Sequence, residues 1–418
     1  MSEELTGNPA HYPVPEPAPV FAAAPVSAGE KVACPNCGAT TSRWVPERGH
    51  MVCDTCRSYF DIDSGGVANL VSDDIVNLRG FEIAPGAGEQ VDPELETDVL
   101  TLACPTCGAE EVVHVDTNLT TFRCHWCRNN LTLSDKIANG ARPDGIIPFS
   151  LPREQAQSLM ERFLKKRRFF ANRAFIRDYC LESIAPVYFP YFMVDVNAKS
   201  YHQGKGAHLV RTYTRGSGKN QTRYWDYDIY QFERQFDLYV NDLLVQANAE
   251  SANLHDRSAT NNILNAMAPW PATATLKGYD PLFLQGGYRA ERRSLNINDV
   301  RPKVGRKVRD LSMRQANATM EFYDHGIRYE DRDDCVQPVG ERWVSVLAPV
   351  WIFGYLQKKR SGANKLHYVA VNGVTGKITG SVPLSQPRLW TVAVLAQIAG
   401  MVVGSAIAIG NAFWWLLW

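Results

Sequence analysis

The sequence predicts two small zinc ribbons, an α+β domain with a mainly antiparallel sheet, and one C-terminal transmembrane helix. Two quartets of paired cysteines predict the ribbons, and aromatic and β-branched runs between glycine-rich turns predict the sheet. A final stretch without Asp, Glu, Lys or Arg predicts the transmembrane helix. A chain of 418 residues has room for two or three such domains.

The N-terminal segment, residues 1–30, is rich in Pro and Ala and shows no periodicity, which predicts a disordered tether. It contains no charged leader followed by an apolar core, so no secretory signal peptide is predicted. We therefore expect membrane insertion to depend on the C-terminal span.

The cysteines follow this tether and have the Cys-x2-Cys, gap, Cys-x2-Cys spacing of a zinc site. Their flanking sequences repeat, ACPNCGA with ACPTCGA and VCDTCR with RCHWCR, which indicates an internal duplication. We assign zinc ribbon 1 to residues 31–62 and zinc ribbon 2 to residues 100–136. The predicted cofactors are two structural Zn²⁺ ions, held by Cys34, Cys37, Cys53 and Cys56 and by Cys104, Cys107, Cys124 and Cys127.

Disulfides and redox catalysis are the alternative interpretations of these cysteines. A reducing cytoplasm disfavours disulfides, and the matched pairs lack the alternating strands and helices that surround a redox motif. Four thiolates complete a tetrahedral shell, so we expect the zinc ions to be structural rather than catalytic. The nearby His50, His114 and His125 are not predicted as ligands because both shells are already complete.

Nucleic-acid binding is a second alternative for the ribbons, because aromatic side chains near the cysteines could stack on bases. Residues 100–133, however, contain only Arg123 and Arg128 as basic residues, against three acidic ones. A groove that follows phosphates needs a concentration of Lys and Arg, so the charge argues against this alternative. We expect the aromatics to close a hydrophobic layer behind each zinc site; they are Trp44, Tyr59, Phe122 and Trp126.

Between the ribbons, residues 63–99 form an acidic linker with Gly and Pro, in which a short strand is expected near residues 75–81. Residues 1–139 carry 8 basic and 20 acidic side chains, whereas the rest of the chain carries 36 and 24. This asymmetry would hold the basic rear half against an anionic membrane surface, although an ordinary solvated surface would show the same count.

The α+β domain is predicted for residues 140–386. Apolar residues at helical spacing predict one helix over 152–170, and a second, basic helix is predicted over 295–320. The sequence IAPVYFPYF at 184–192 echoes LAPVWIFGY at 347–355, which predicts two related strands that pair near the centre of the domain.

The predicted transmembrane helix covers residues 389–418, with tryptophans at both ends where aromatic belts lie. Arg388 is the last basic residue before it, so the positive-inside rule places the N-terminus in the cytoplasm. A buried core helix is the alternative. Small residues at every fourth position would let a second helix pack closely on this one, through Ala396, Gly400, Gly404 and Ala408.

The sequence predicts no enzymatic activity, because metalloprotease, nucleophile-elbow and dinucleotide motifs are absent. The turn at 215–220 is not a phosphate loop, since Asn220 stands where a Walker A motif needs Ser or Thr. Cys180 and Cys335 lie outside the quartets and are expected to be unreactive.

The chain resembles bacterial membrane-anchored double zinc-ribbon proteins of the TFIIB-type, YdjG-like family. The resemblance rests on the CPxCG knuckles, RCHWCRNNLTL, IIPFSLPREQA, IAPVYFPYF, LAPVWIFGY and YVAVNGVTGKITGSVP. It implies a scaffold that helps to bring a phage-shock-type coat protein to the membrane in an envelope-stress response.

We therefore expect a single-pass adaptor of the cytoplasmic membrane that contacts lipid through residues 389–418 and recruits protein partners. The alternative function is a membrane-tethered nucleic-acid-binding protein that uses its ribbons. A third, weaker alternative is a subunit of a membrane enzyme or transporter whose catalytic part lies in another chain.

Overall fold

The computed structural model describes most of the chain from residue 50 onward and little before it. The described ranges are residues 36, 42–45, 50–60, 74–88, 98–115, 122–217, 221–248, 270, 276–330, 335–357 and 365–416. The predicted tether at 1–30, two predicted ligands, Cys34 and Cys37, and the turn residue Asn220 lie outside these ranges. Most of the predicted acidic linker also lies outside them.

The described strands form two sheets. Their bounds are β1 Ser42–Val45, β2 His50–Cys53, β3 Tyr59–Phe60, β4 Gly80–Ile83, β5 Val99–Ala103, β6 Glu110–His114, β7 Lys136–Ile137, β8 Gly145–Ile146, β9 Ala185–Arg215, β10 Thr222–Gln246, β11 Lys277–Gly278, β12 Arg289–Glu291, β13 Ile327–Tyr329, β14 Val336–Gln357, β15 Lys365–Asn372 and β16 Ile378–Gly380. Strands β1 to β3 form a small sheet, and the remaining strands form a 13-stranded sheet.

Two long strands, β9 and β14, organise the large sheet. They pair antiparallel from Ala185↔Ile352 to Ser200↔Val336, so the two segments that echo each other in sequence are neighbours, as predicted. From Pro186 to Ala198 every residue of β9 is buried. A strand buried on both faces needs an apolar run rather than alternation, and residues 185–194 form such a run before the polar Asp195 and Asn197.

The structure corrects the predicted fold class in part, because the large sheet is mixed: most of its described strand pairs are antiparallel, but three are parallel. β14 pairs in parallel with β4 and β8, and β12 pairs in parallel with β9. The strands of zinc ribbon 2 belong to the same sheet, since β6 pairs with β12 and β5 pairs with β6 and β7. The metal-binding segment is therefore joined to the main core through backbone hydrogen bonds.

The described helices are α1 Arg153–Lys165, α2 Arg173–Asp178, α3 Ile297–Ala318 and α4 Gln386–Leu416. Helix α1 begins one residue after Pro152 and buries Ala156, Met160 and Leu164 on one face. Helix α3 begins at a capping box, in which the Asn296 side chain accepts a hydrogen bond from the Asp299 amide at 2.9 Å. It buries every fourth residue from Val300 onward. These residues share one face of the helix, and that face packs against the sheet.

The predicted transmembrane helix is wrong. Within the described ranges, no helix combines the length and the apolar character needed to cross a bilayer. The single-pass topology, the cytoplasmic-membrane location and the lipid contact through residues 389–418 were predicted from this helix, so they are corrected with it.

Candidate metal centre

The four cysteines of zinc ribbon 2 come together at one point. Their sulfur atoms all lie within 4.8 Å of one another. The Sγ atoms of Cys104 and Cys127 are 3.5 Å apart, and those of Cys107 and Cys124 are 3.6 Å apart. A tetrahedron of metal–sulfur bonds of ~2.3 Å has edges of about 3.8 Å, so the sulfurs are already close to that arrangement.

Two matching turns bring the sulfurs together. In the first, the Cys104 amide donates to the Ala109 carbonyl and the Gly108 amide donates to the Cys104 carbonyl, both at 2.8 Å. In the second, the Cys124 amide donates to Asn129 at 2.8 Å and the Arg128 amide donates to Cys124 at 2.9 Å. In each turn, the backbone N–H and C=O of the first cysteine are both hydrogen-bonded within the turn, so that the two sulfurs of the pair face the same point.

A positive φ closes each turn, at 76° for Gly108 and 64° for Arg128. Glycine accepts this conformation without steric cost, whereas a side chain there is strained. Arg57 has a φ of 60° at the same place after Cys56, so the second half of ribbon 1 repeats the turn. The duplication predicted from the sequence is therefore visible in the backbone.

Hydrogen bonds between neighbouring thiols of the cluster let them share protons. Hydrogen bonding to Cys107 raises the pKa of the Cys124 thiol, and the same neighbour lowers the pKa of Cys127 to about 2. Cys104 and Cys124 are buried. A divalent metal ion would replace the shared protons and favour all four thiolates, so the residues present fit a closed metal site.

In ribbon 1 the structure places only half of the predicted ligand set. Cys53 and Cys56 lie in the described part, with the Cys53 amide donating to the Ser58 carbonyl at 3.0 Å. The Cys56 Sγ lies 2.8 Å from the Ser58 hydroxyl and 3.7 Å from the Asn36 amide nitrogen. These contacts bring residue 36, from the first cysteine pair's segment, next to the second pair.

A buried charged cluster holds the turn between Cys124 and Cys127, and sequence reasoning did not predict it. The two ring nitrogens of His125 lie 2.8 Å from Glu111 and 3.0 Å from Glu291. Trp126 donates its indole N–H to the same Glu291 carboxylate, and Asn248 donates to its other oxygen at 2.9 Å. Both residues between the ligand cysteines are therefore fixed by side chains of the large sheet.

This cluster is charged despite its burial. Burial alone would lower the pKa of His125, but the two adjacent carboxylates, Glu111 and Glu291, together outweigh it and raise that pKa to about 9. Burial likewise opposes ionisation of Glu111, yet the charges of His125 and Arg289 lower its pKa to about 2. Each charge is stabilised by its neighbours, which is the condition under which buried ions persist.

The aromatic residues near the cysteines follow the prediction in part. Phe122 and Trp126 are buried in the main core, where Trp126 packs edge-on against Phe189 and Tyr368. Tyr59 is 55% exposed, so it closes no hydrophobic layer.

The fold and the site together define a class of protein, a mixed-sheet protein with four cysteines grouped at metal-binding distance beside the sheet. Its sequence is 23% identical over 277 residues to YdjG of Bacillus subtilis (strain 168), a protein described as uncharacterised. The match covers 66% of this chain and 73% of YdjG. This distant similarity supports the resemblance to YdjG-like proteins.

No family model matches the chain. No solved structure matches it either.

Proposed function

We propose that this chain is a zinc-stabilised adaptor that recruits protein partners through an exposed β-arm. Zinc is the proposed metal because four cysteine sulfurs in a tetrahedron are the donor set of closed structural zinc sites. All four positions are occupied by the protein, so the ion would hold the metal-binding segment to the sheet and leave no coordination site for a substrate.

The observation that carries the proposal is the outer part of the β9–β10 hairpin, residues 207–215 and 222–229, here called the β-arm. It is a two-stranded ribbon with register Ala207↔Ile229 to Arg215↔Thr222. Strand β9 runs without interruption for 31 residues, from Ala185 to Arg215. The hairpin therefore extends beyond the core that buries its base.

The β-arm exposes apolar side chains that a partner could cover. Exposed fractions reach 50% for Trp225, 52% for Tyr227 and 63% for Ile229. Aromatic side chains are enriched at the energetic centres of protein interfaces. Among the described strands, β10 pairs only with β9, so its other edge could also accept an extended peptide strand.

A phage-shock-type coat protein is the proposed partner, on the strength of the family resemblance. Nucleic acid is the rival ligand, and the low count of basic residues in zinc ribbon 2 argues against it. We expect the full chain to bind duplex or single-stranded DNA no better than the millimolar range at physiological salt, as judged by fluorescence anisotropy.

The adaptor proposal is tested by direct binding of purified coat protein to the full chain. We expect the double variant Trp225→Ala/Ile229→Ala to weaken binding at least roughly tenfold, as removal of interface anchors does. Phe169→Ala is the matched control, because Phe169 is 65% exposed and lies away from the hairpin sequence. Equal affinity in the arm variant and the control would contradict the role of the β-arm, and salt-dependent micromolar DNA binding would favour the rival.

The proposed role is not enzymatic. The described residues include a close serine–histidine pair, in which His202 Nε2 lies 2.7 Å from the Ser312 hydroxyl. Ser312 donates in turn to Ser200 at 2.8 Å, and all three residues are buried. A nucleophile must reach its substrate, so we attribute this chain of hydrogen bonds to the packing of α3 on the sheet.

A further inference from the structure

A cavity of about 280 Å³ lies beside the metal centre and is lined by four arginines, Arg123, Arg128, Arg153 and Arg289. Among the described residues of the lining, Glu182 alone is acidic. His125 also reaches the wall, but its charge is balanced by the two glutamates that hold it. The cavity therefore carries an excess of positive charge, and the adaptor role makes no use of it.

Contacts to the fold hold two of these arginines in place on the side of the helices. Arg128 donates to the Asp178 carbonyl at 3.0 Å, and its guanidinium lies 5.8 Å from the Phe353 ring centre. Arg153 is the first residue of α1, and its guanidinium lies 5.9 Å from the Trp351 ring centre. Both side chains are thus positioned before any ligand arrives, which lowers the entropic cost of binding.

Arg289 is held from the opposite side by the charged cluster. Its Nη1 lies 3.2 Å from the Glu111 carboxylate, and its guanidinium lies 4.2 Å from the Phe122 ring centre. Its Nε atom is buried and has no hydrogen-bond partner among the described residues, and the same holds for the Nε of Arg153. Two guanidinium groups at one cavity therefore keep an unused donor.

One wall of the cavity is bare backbone. Gly286 and Gly287 line it, with φ values of 70° and 87°. A Cβ atom at either position would meet nothing within 4 Å, so the space in front of this backbone is open. A ligand can approach the main chain here more closely than it could beside a side chain.

We propose that this cavity binds a small polyanion through an oxyanion group, with phosphate esters and polycarboxylates as the candidate ligands. The planar guanidinium fork matches both groups and can bind them through two parallel hydrogen bonds. A volume near the lower end of the range for ligand pockets suits a small molecule rather than a polymer. This inference is independent of the adaptor role of the β-arm.

The test is isothermal titration of the zinc-loaded full chain with inorganic phosphate, pyrophosphate and citrate. Arg128→Gly is the informative variant, because Gly108 occupies the equivalent turn position with a φ of 76° and the turn should persist. Arg57→Gly is the matched control, since it makes the same change in a turn that does not line the cavity.

We expect saturable binding of at least one probe by the parent chain, weakened roughly tenfold or more by Arg128→Gly and within about twofold of the parent in Arg57→Gly. Tighter binding of pyrophosphate than of citrate assigns the ligand to the phosphoryl class, and the reverse order assigns it to polycarboxylates. Arg123→Gln serves as a second variant, because Arg123 is exposed and its loss should spare the fold.

Absence of binding up to about 10 mM of all three probes would overturn the proposal. Equal weakening in Arg128→Gly and Arg57→Gly would also overturn it, because the effect would then come from net charge alone. Unchanged affinity in both Arg128→Gly and Arg123→Gln would place any binding outside this cavity.

Discussion

Gly354 of β14 lies directly against the backbone of Trp126, in the turn between two metal-binding cysteines. A Cβ atom at Gly354 would overlap the carbonyl oxygens of His125 and Trp126. The central strand of the sheet and the metal-binding turn therefore touch through main-chain atoms, with no side chain between them. This close contact makes the metal centre part of the core.

Gly354→Ala is expected to destabilise the chain by about 2 kcal/mol or more. The strand cannot move away without breaking sheet hydrogen bonds, and the turn cannot move without breaking its bonds to Glu111 and Glu291. The measurement is the free energy of unfolding from chemical denaturation. Gly400→Ala is the control, since a Cβ in α4 meets nothing within 4 Å and alanine favours a helix by about 0.5–1 kcal/mol. Similar effects of the two substitutions would mean that the contact at Gly354 is loose.

Metal content gives a second prediction. We expect two zinc ions per chain, one after Cys124→Ser and two after Cys180→Ser, because Cys180 is exposed and outside the cluster. The measurement is elemental analysis of the purified chain. Because β5 and β6 join the large sheet, Cys124→Ser should also lower the midpoint of the main unfolding transition. Iron in place of zinc, or full metal content in Cys124→Ser, would contradict the assignment.

The sequence was sufficient to predict that these four cysteines come together, since the spacing within each pair is local and the turn geometry follows from it. It was not sufficient to predict the partners of His125. Glu111 and Glu291 lie 14 and 166 residues away from it along the chain, and the strands that carry them pair only in the folded sheet. The sequence offered only a weak signal for these partners, because each is a single glutamate within a short strand.

The parallel strand pairs of the large sheet were not predicted for the same reason, because they join segments that are distant in the sequence. Alternation and apolar runs identify strands, but they do not say which strands are neighbours or in which direction they run. The echo between residues 184–192 and 347–355 was an exception, and it correctly predicted the central pair. The membrane prediction depended on an uncharged apolar run and on the tryptophans at its ends, and neither feature is confined to helices that span a bilayer.

A third prediction concerns pH. Burial raises the pKa of Asp144 from its ordinary 3.8 to about 6, although its carboxylate accepts the Ser345 amide at 2.8 Å. The folded chain therefore binds a proton more readily than the unfolded chain between these values, and stability rises as pH falls. Between pH 7 and pH 5 this residue should add about 1 kcal/mol to the free energy of unfolding.

Denaturation of the parent chain and Asp144→Asn at both pH values measures this contribution. Asp195 provides a parallel case, because burial also raises its pKa to about 6. We expect each single Asn variant to gain less stability on acidification than the parent chain. An identical gain in Asp144→Asn and the parent would show that Asp144 does not take up the proton.

The last prediction tests whether the charged cluster holds the metal-binding turn. Glu291 accepts hydrogen bonds from both residues between Cys124 and Cys127, so its carboxylate fixes the whole turn. Glu291→Gln keeps the shape but removes the charge that faces His125. Breaking a buried ion pair costs about 3–5 kcal/mol when one partner is deleted, and we expect about 3 kcal/mol here because the amide oxygen can still accept.

The same substitution should speed the loss of metal to a chelator, since a freer turn lets the Cys124 and Cys127 sulfurs move apart. Transfer to a chromophoric chelator measures this rate. Glu110→Gln is the matched control, because Glu110 lies in the neighbouring strand β6 and its pair with Arg292 is about one third exposed. That pair should contribute less than about 1 kcal/mol. Equal stability and equal metal transfer in the two variants would show that the sulfurs hold the turn without the cluster. A slower rate in the control than in Glu291→Gln would instead show that the sheet, through Glu291, helps to retain the ion.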